Sequence, residues 1–331
     1  MQLTQKKSRR GDLLTAAAVA MLLAVMAALL YTGSLTRQVT NMLIPTAVYI
    51  VMAVSLNLVV GLLGELSLGH AGFMSVGLFS GCLVAIALTN TALPLMVRLP
   101  VSMLAGGLTA AVFGLLVGLP TLQLRGDYLA IVTLACGEII KNIITNLRVT
   151  GGALGLNTTA IYAGAKELLP YGAALVLLTV AVMLNLKRSK YGRAIMAIRD
   201  NRIAAESVGL SVTRYKLAVF VIAAFFAGCA GVLYGHSLAN IKAAAFDYNM
   251  SIEILVIVVL GGMGSVPGSV VSAIVLTVLP EALREVADYR MLVYAVVLIL
   301  VMQATNNPAM KRFFGAACKS LTPKRKERAA L

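Results

Sequence analysis

Long apolar runs, separated by short polar or glycine-rich segments, make up most of the chain. The longer runs have about the 20 residues that a helix needs to cross a hydrocarbon core of roughly 30 Å. We place them at residues 13–31, 39–63, 69–89, 98–119, 127–147, 170–186, 215–238, 251–264, 267–287 and 291–305. This pattern predicts an all-α polytopic membrane protein with about ten transmembrane helices, some of them broken at glycine-rich segments. The short neighbours 251–264 and 267–287 are also compatible with a re-entrant pair.

The composition agrees with this pattern. Hydrophobic residues account for 60% of the chain and charged residues for only 12%, whereas soluble domains carry about 25% charged residues. This excludes a soluble enzyme, a disordered tail and a nucleic-acid-binding domain, and we expect residues 1–331 to form one transmembrane domain. The basic start followed by the run 13–31 resembles a secretory signal, but the run is too long for one, which favours a retained first helix.

The net charge of +15 reports topology, because Lys and Arg accumulate in cytoplasmic loops. With a cytoplasmic N-terminus, twenty of the 28 basic residues fall on the cytoplasmic side. They are four before the first run, Arg125, eight between Lys187 and Lys216, and seven from Lys311 to Arg328. We therefore expect both termini in the cytoplasm, with 187–214 as a cytoplasmic loop and 306–331 as a basic cytoplasmic tail.

The loop 187–214 is the longest polar stretch inside the chain. Its apolar residues Ile195, Ile198, Ile203 and Val208 stand among charged residues at helical spacing, which predicts an amphipathic helix. Such a helix either lies on the membrane lipid, with Lys and Arg on anionic headgroups, or docks a cytoplasmic partner.

Glycine is concentrated in two segments, 61–77 and 261–269, each of which interrupts an apolar run in one half of the chain. Paired interruptions of this kind are typical of transporters in which unwound backbone lines a site near the membrane midplane. Close helix packing is the alternative, because the spacing of small residues in 77–81, 231–235 and 264–268 is that of helix contact motifs.

Polar residues inside or at the edges of apolar runs are functional candidates, because burying an ionisable group in a membrane is costly. Together with glycines of the two segments they give a candidate substrate pathway: Glu65, Ser67, Gly69, His70, Glu138, Glu253, Gly261, Gly262 and Gly264. Glu65 and His70 are also compatible with the cytoplasmic membrane surface, where solvation is cheap. The sequence does not contain the connected set of ionisable groups that a proton relay requires.

Motifs for catalysis or metal binding do not occur in the sequence. The four cysteines lie far apart, and no CxxC or histidine pair indicates a zinc or redox site. There is no Gly-x-Ser-x-Gly or His-Glu-x-x-His motif, and the Gly-Lys dipeptide of a Walker A motif is absent. We therefore expect a chain that is not an enzyme and binds no metal or cofactor, so that any ATP is used by partner subunits.

Five segments of the chain resemble the LivM-type permeases of branched-chain amino acid ABC importers, within a larger family that includes ribose-type permeases. They are residues 57–77, 124–139, 150–156, 189–235 and 258–273, in the order and spacing of that family. The resemblance implies a multi-pass permease of the bacterial inner membrane that translocates branched-chain amino acids. It also implies four kinds of partner: a homologous second permease, two ATP-binding cassette ATPases, an extracytoplasmic solute-binding protein and membrane lipid.

The resemblance further implies an ATPase coupling segment between the sixth and seventh runs. The residues assigned to it on this basis are Arg193, Arg199, Asp200, Arg202, Ala204, Ala205, Glu206 and Gly209. The importer loop has Glu-Ala-Ala ahead of a glycine, whereas this chain has Ile203, Ala204 and Ala205 ahead of Gly209 and so lacks the leading Glu.

Several functions stay open at this point. Urea and short amides are carried by close relatives of the family, and nothing in the sequence excludes them. A secondary transporter would need no partner ATPase. A membrane-embedded transferase would need a cluster of polar catalytic residues at one membrane face, which the sequence does not show.

Overall fold

A computed structural model describes residues 2–32, 36–89, 94–124, 126–282 and 299. Eleven helices form its described part. They are α1 (Gln2–Tyr31), α2 (Arg37–Asn57), α3 (His70–Thr89), α4 (Leu95–Thr121), α5 (Asp127–Asn146), α6 (Ala165–Arg188), α7 (Lys190–Asp200), α8 (Arg202–Ser207), α9 (Val212–His236), α10 (Tyr248–Gly261) and α11 (Val266–Ala282). Residues 1–278 form one compact unit and 279–331 a second, of which the described residues are 279–282 and 299.

The all-α architecture is confirmed, and each of the first nine predicted runs coincides with a described helix. Among the described residues, seven helices are long and apolar enough to cross a membrane, and two shorter apolar helices cover Ala16–Leu30 and Val266–Pro280. The predicted number of about ten is therefore not confirmed. The run 291–305 except for residue 299, the tail 306–331 and Arg125 lie outside the described residues. The single domain and the terminus orientation stay predictions.

Helix α2 lies at the centre of the first unit. Of its most apolar 18-residue stretch, 94% is buried, and α2 packs against α6, α9 and α10. Its few buried polar side chains, such as Ser55 and Asn57, are hydrogen-bonded, as burial requires. This central place brings the end of α2 next to α7, α9 and the turn that follows α10.

Glycines allow α3, α4 and α9 to pack in backbone contact. A Cβ on Gly77 of α3 would overlap the backbone of Gly228 in α9, and one on Gly106 of α4 would overlap the Gly77 carbonyl. Small residues let apolar helices approach closely where lipid supplies no hydrophobic driving force. The packing interpretation is thus confirmed for the motif 77–81.

Both glycine segments break a helix, as predicted. After Asn57, α2 continues as a π-helix, Leu58–Leu63, which ends at Gly64 with φ +79°, and the chain then runs without helix to His70. Helix α10 ends at Gly261, and a turn with positive φ at Gly262 and Gly264 leads into α11. Glycine suits these positions because a Cβ is strained at positive φ.

Two helices, and not one, form the segment that joins α6 to α9. Ser189 caps α7 by accepting a hydrogen bond from the Gly192 amide at 3.1 Å, and Asn201 separates α7 from α8. Ile195 and Ile198 are buried as predicted, but Ile203 is 80% exposed and Val208 is 75% exposed. The prediction of one amphipathic helix was wrong, because the break at Asn201 starts a new helix in which Ala205 is buried and Ile203 is exposed.

A short antiparallel pair connects the loops at the other end of the bundle. Leu156–Asn157 (β1) pairs with Asn240–Ile241 (β2), and the Thr158 amide donates to the Ala239 carbonyl at 3.0 Å. These contacts tie the glycine-rich loop before α6 to the segment that enters α10.

Candidate functional site

A cavity of about 250 Å³ lies at the start of α10. Its walls come from α2, α9, the segment entering α10 and α10 itself: Tyr49, Tyr234, Ala245, Phe246, Asp247, Asn249, Met250 and Glu253. The Tyr49 hydroxyl donates to Glu253 Oε2 at 3.2 Å, which holds the carboxylate at the wall of the cavity. Glu253, predicted from the sequence as a pathway residue, therefore faces an open space inside the first unit.

Two carboxylates cap the N-terminus of α10. Asp247 Oδ1 accepts from the Met250 amide at 3.2 Å, and Glu138 Oε1 of α5 accepts from the Tyr248 amide at 3.0 Å. Lys141, one turn along α5, pairs with Glu138. The partial positive charge of a helix N-terminus favours this arrangement. Glu138 thus binds the first residue of α10, five positions before Glu253, but it does not line the cavity.

The cavity has the chemistry of a site for a small cation. Asp247 and Glu253 supply negative charge, the rings of Tyr49, Tyr234 and Phe246 supply aromatic faces, and none of the eight lining residues is basic. Aromatic faces and carboxylates together attract ammonium groups. The helix N-terminus adds little attraction for an anion, because Asp247 and Glu138 already accept from its amides.

The first glycine segment places its polar residues against α2, α5 and α9. Glu65 forms an ion pair with Lys216 near the start of α9, and both side chains are largely buried. His70 Nε2 and Ser55 Oγ share a hydrogen bond of 2.8 Å. Ser67 Oγ is buried and has no hydrogen-bond partner among the described residues. A Cβ on Gly69 would overlap the Thr133 carbonyl, so this glycine is required for packing.

The two glycine segments meet each other. We call Gly61–Gly64, at the end of α2, and Gly261–Gly264, after α10, the glycine junction. A Cβ on Gly61 would overlap the backbone of Gly264, and one on Gly261 would overlap that of Gly268 in α11. The packing interpretation is therefore confirmed for 264–268 as well, and the role of these glycines in a substrate pathway stays a prediction.

Asn57 joins the two parts of the glycine junction. Its Oδ1 accepts from the Gly264 amide at 2.8 Å, and its Nδ2 donates to Ser269 Oγ at 2.8 Å and to the Ser265 carbonyl at 3.2 Å. Three polar atoms beyond α10, the Gly264 amide, the Ser265 carbonyl and the Ser269 hydroxyl, thus bind the side chain of Asn57, and Ser269 Oγ also donates to Ser265 O. The end of α2 and the turn between α10 and α11 are held together as one body.

The predicted coupling residues divide into an inner and an outer set. Arg199 Nη1 donates to the Gly61 carbonyl at 3.0 Å while its Nε and Nη2 donate to Asp200, and Ala205 is buried with Ile198 and Val212.

The outer set faces away from this core. Arg202 pairs with Glu206 at 2.8 Å on α8, the Ala204 amide donates to the Asn201 cap at 3.1 Å, and Arg193 donates to the Arg188 carbonyl at 3.0 Å. Gly209 ends α8 in a turn with φ +84°. We call Arg202, Ile203, Glu206 and Val208, the residue that follows α8, the outer face of α8; Ile203 and Val208 are exposed.

Several site residues were not predicted. Asn57, Lys187 and Lys216 had a detectable signal, since each is a polar residue within or beside an apolar run. Tyr49, Tyr234 and Asp247 had none, because aromatic residues are common in membrane helices and Asp247 lies in a loop. Among the described residues, no group of three or more His, Cys, Asp or Glu is arranged to hold a metal ion.

Comparison with known proteins gives a consistent assignment. The sequence model of the family described as "Branched-chain amino acid transport system / permease component" matches residues 38–302. The high-affinity branched-chain amino acid transport system permease protein LivM of Salmonella typhimurium is 36% identical, and that of Escherichia coli 37% identical, each over 78% of this chain.

The match to these relatives is partial on their side. The chain spans 66% of the length of each of the two LivM proteins. The permease protein LivH of Salmonella typhimurium, named for the same transport system, is 31% identical over 37% of this chain and 40% of its own. No solved structure matches the chain significantly.

Proposed function

The chain belongs to the family of branched-chain amino acid transport system permeases, and we propose that it is the membrane-spanning permease subunit of an ATP-driven importer for branched-chain amino acids. The observation that carries this proposal is the family match over residues 38–302, which includes every element of the site. We place the subunit in a bacterial inner membrane as a multi-pass protein with cytoplasmic termini, as the distribution of Lys and Arg favours.

The proposed complex contains four other subunits. They are a homologous second permease, two ATP-binding cassette ATPases and an extracytoplasmic solute-binding protein. The sequence has no Walker A motif, so the ATPases supply the hydrolysis, and this subunit acts as a transport subunit without enzyme activity or a cofactor of its own. A relative named for a second permease of the same system, LivH, matches part of this chain and supports a pair of related permeases.

The outer face of α8 is the proposed docking site for an ATPase. Ile203 and Val208 expose apolar side chains beside the Arg202–Glu206 pair. Large apolar side chains exposed together on a polar segment favour a protein contact over bulk solvent. The buried cluster of Ile198, Ala205 and Val212 fixes α8 against α9, so that force applied to α8 reaches the helix bundle.

The cavity at α10 is the proposed station for the substrate inside this subunit. A branched-chain amino acid is a zwitterion, and its ammonium group fits the carboxylates of Asp247 and Glu253 and the surrounding aromatic rings. Helices α2 and α10 run side by side from this cavity to the glycine junction. We infer that the substrate passes along these helices, from Glu138 and Glu253 towards the segment that contains Glu65, Ser67 and His70.

The transport cycle follows from these parts. The binding protein delivers the amino acid at the outer mouth, ATP binding in the partner subunits displaces α7 and α8, and the two permeases rock so that the site opens to either side in turn. The same cavity chemistry favours an amino acid over urea or short amides, because a neutral amide gains less from two carboxylates.

Uptake by cells that lack other leucine importers and express the complete complex tests the proposal. We expect labelled leucine to enter in an ATP-dependent manner, with isoleucine and valine competing and with urea and acetamide having no effect at the same concentration. Competition by urea or acetamide at least as strong as that by isoleucine would assign the permease to those substrates instead.

A further inference from the structure

Two basic side chains beside the proposed docking face turn inward and bind the glycine junction. Arg199, in the last turn of α7, donates to the Gly61 carbonyl at 3.0 Å. Lys187, in the last turn of α6, donates to the Gly264 carbonyl at 3.0 Å. The aliphatic part of the Arg199 side chain packs against Gly64 at the end of the π-helix. A Cβ on Gly64 would overlap Arg199 Cγ, so the glycine makes room for this side chain. The two cations thus hold both parts of the junction from the same side.

The carbonyls at these two positions are suited to receive a cation. The last carbonyls of a helix have no intrahelical donor and carry the partial negative charge of the helix dipole. The Gly61 carbonyl is of this kind, because it lies in the π-helix that ends α2. The Gly264 carbonyl lies in the turn between α10 and α11 and accepts from the Lys187 ammonium. Hydrogen bonds from charged donors are stronger than those between neutral groups. Movement of α7 must therefore break the Arg199 bond or displace Gly61, and movement of the end of α6 acts in the same way on Gly264 through Lys187.

The junction responds as one body because Asn57, the last residue of α2 before the π-helix that contains Gly61, binds the turn after α10. The Asn57 amide group links the end of α2 to the Gly264 amide and to Ser269 of α11. Gly61 and Gly264 are also in direct backbone contact. A displacement that enters at either carbonyl is thereby shared by α2, α10 and α11, the helices that border the cavity or follow from it.

We propose that Arg199 and Lys187 are positioning residues of the transport cycle, which transmit movement of the coupling segment to the glycine junction through the Gly61 and Gly264 carbonyls. The inference rests on the proposed function and changes the role of Arg199. The side chain acts towards the permease interior, whereas the resemblance implied an ATPase contact. The π-helix at the receiving end agrees with this role, since such turns occur frequently at functional sites.

The first experiment measures coupling in the complete complex, reconstituted in proteoliposomes. It compares Arg199→Met and Lys187→Met with the control Lys190→Met. Lys190 is an exposed residue of α7 whose Nζ lies 5.2 Å from the centroid of the Tyr191 ring, so the control loses the same charge away from the glycine junction. We expect leucine transported per ATP hydrolysed to fall about tenfold in the first two variants, the factor expected for one lost charge-assisted hydrogen bond. Lys190→Met keeps the ratio, and Arg199→Lys restores part of it.

ATPase association separates positioning from docking. The ATPases are expected to co-purify with Arg199→Met in wild-type amounts, because the outer face of α8 is unchanged. The inference would be overturned if both Met variants transported as much leucine per ATP hydrolysed as the wild type. It would also be overturned if transport fell only in proportion to the amount of bound ATPase. Where a Met variant does not assemble, Arg199→Gln or Lys187→Gln replaces it with the same expectations.

The second experiment follows amide hydrogen exchange at residues 262–268 in the assembled complex with and without ATP. We expect ATP to change exchange there in the wild type and in Lys190→Met, but not in Arg199→Met or Lys187→Met. An equal response in all four proteins would overturn the inference. A wild-type complex that responds at the junction but imports no leucine would contradict the proposed function while supporting the positioning role.

Discussion

The buried ion pair between Glu65 and Lys216 provides a quantitative test of how the first break is held. The Lys216 side chain is 5% exposed and that of Glu65 is 15% exposed. Glu65 follows Gly64 in the segment without helix, and Lys216 lies near the start of α9. The pair therefore fixes the broken segment to a helix that continues directly from the coupling segment.

Removing one partner of this ion pair is expected to lower the free energy of unfolding much more than removing both. Lys216→Met keeps the length of the side chain but leaves the Glu65 carboxylate buried without a cation, which costs about 3–5 kcal/mol. Glu65→Gln leaves the Lys216 ammonium in the same position and is expected to cost a similar amount. The double variant Glu65→Gln with Lys216→Met contains no buried charge at this site, so we expect it to lie within about 1–2 kcal/mol of the wild type.

Unfolding of the purified protein in mixed micelles by increasing SDS gives the free energies for this double-mutant cycle. The exposed pair Arg202–Glu206 on α8 is the matched control, and its removal is expected to cost less than about 1 kcal/mol. Single variants that unfold within about 1 kcal/mol of the wild type would refute the reasoning. A double variant whose loss equals the sum of the two single losses would refute it as well, because the two sites would then be independent.

Three further predictions concern packing, substrate and docking. Gly77→Ala is expected to lower the free energy of unfolding in the SDS titration by about 1–3 kcal/mol, because its Cβ would overlap the Gly228 backbone. The control Gly164→Ala should have no effect in the same titration, because there is open space around Gly164. Glu253→Gln should raise the leucine concentration for half-maximal uptake roughly tenfold, as loss of one charged contact implies, while the exposed control Glu167→Gln should not. Ile203→Asp should remove the ATPase from the purified complex without changing the yield of folded permease, and retained ATPase would contradict docking at α8.

The helices and their breaks could be predicted because their causes are local in the sequence. A span is defined by its own apolar length, and the breaks at Gly64 and Gly262 are marked by glycines that reach positive φ. The ends of most predicted runs accordingly fall within a few residues of the helix ends.

The association of distant segments could not be predicted in the same way. Asn57 and Gly264 are separated by more than two hundred positions, and only the packing of α2 against α10 brings them within hydrogen-bond distance. Each glycine segment, considered alone, is compatible with the same two alternatives, close helix packing or a substrate pathway. It contained no information that they pack against one another.

The coupling segment shows where a pattern was misleading. Its apolar spacing predicted one helix with a buried stripe, but the cap at Asn201 favours a new helix start. Ile203 then stands on the exposed face of α8. The spacing of apolar residues indicates a common face only as long as the helix is continuous.

Uptake by proteoliposomes tests the central claim most directly. The complete complex is reconstituted with ATP in the lumen, binding protein outside and labelled leucine outside. The account predicts that leucine accumulates only when both ATP and the binding protein are present, and that accumulation persists when an ionophore collapses ion gradients. Accumulation that occurs without ATP and is abolished by the ionophore would contradict it and identify a secondary transporter.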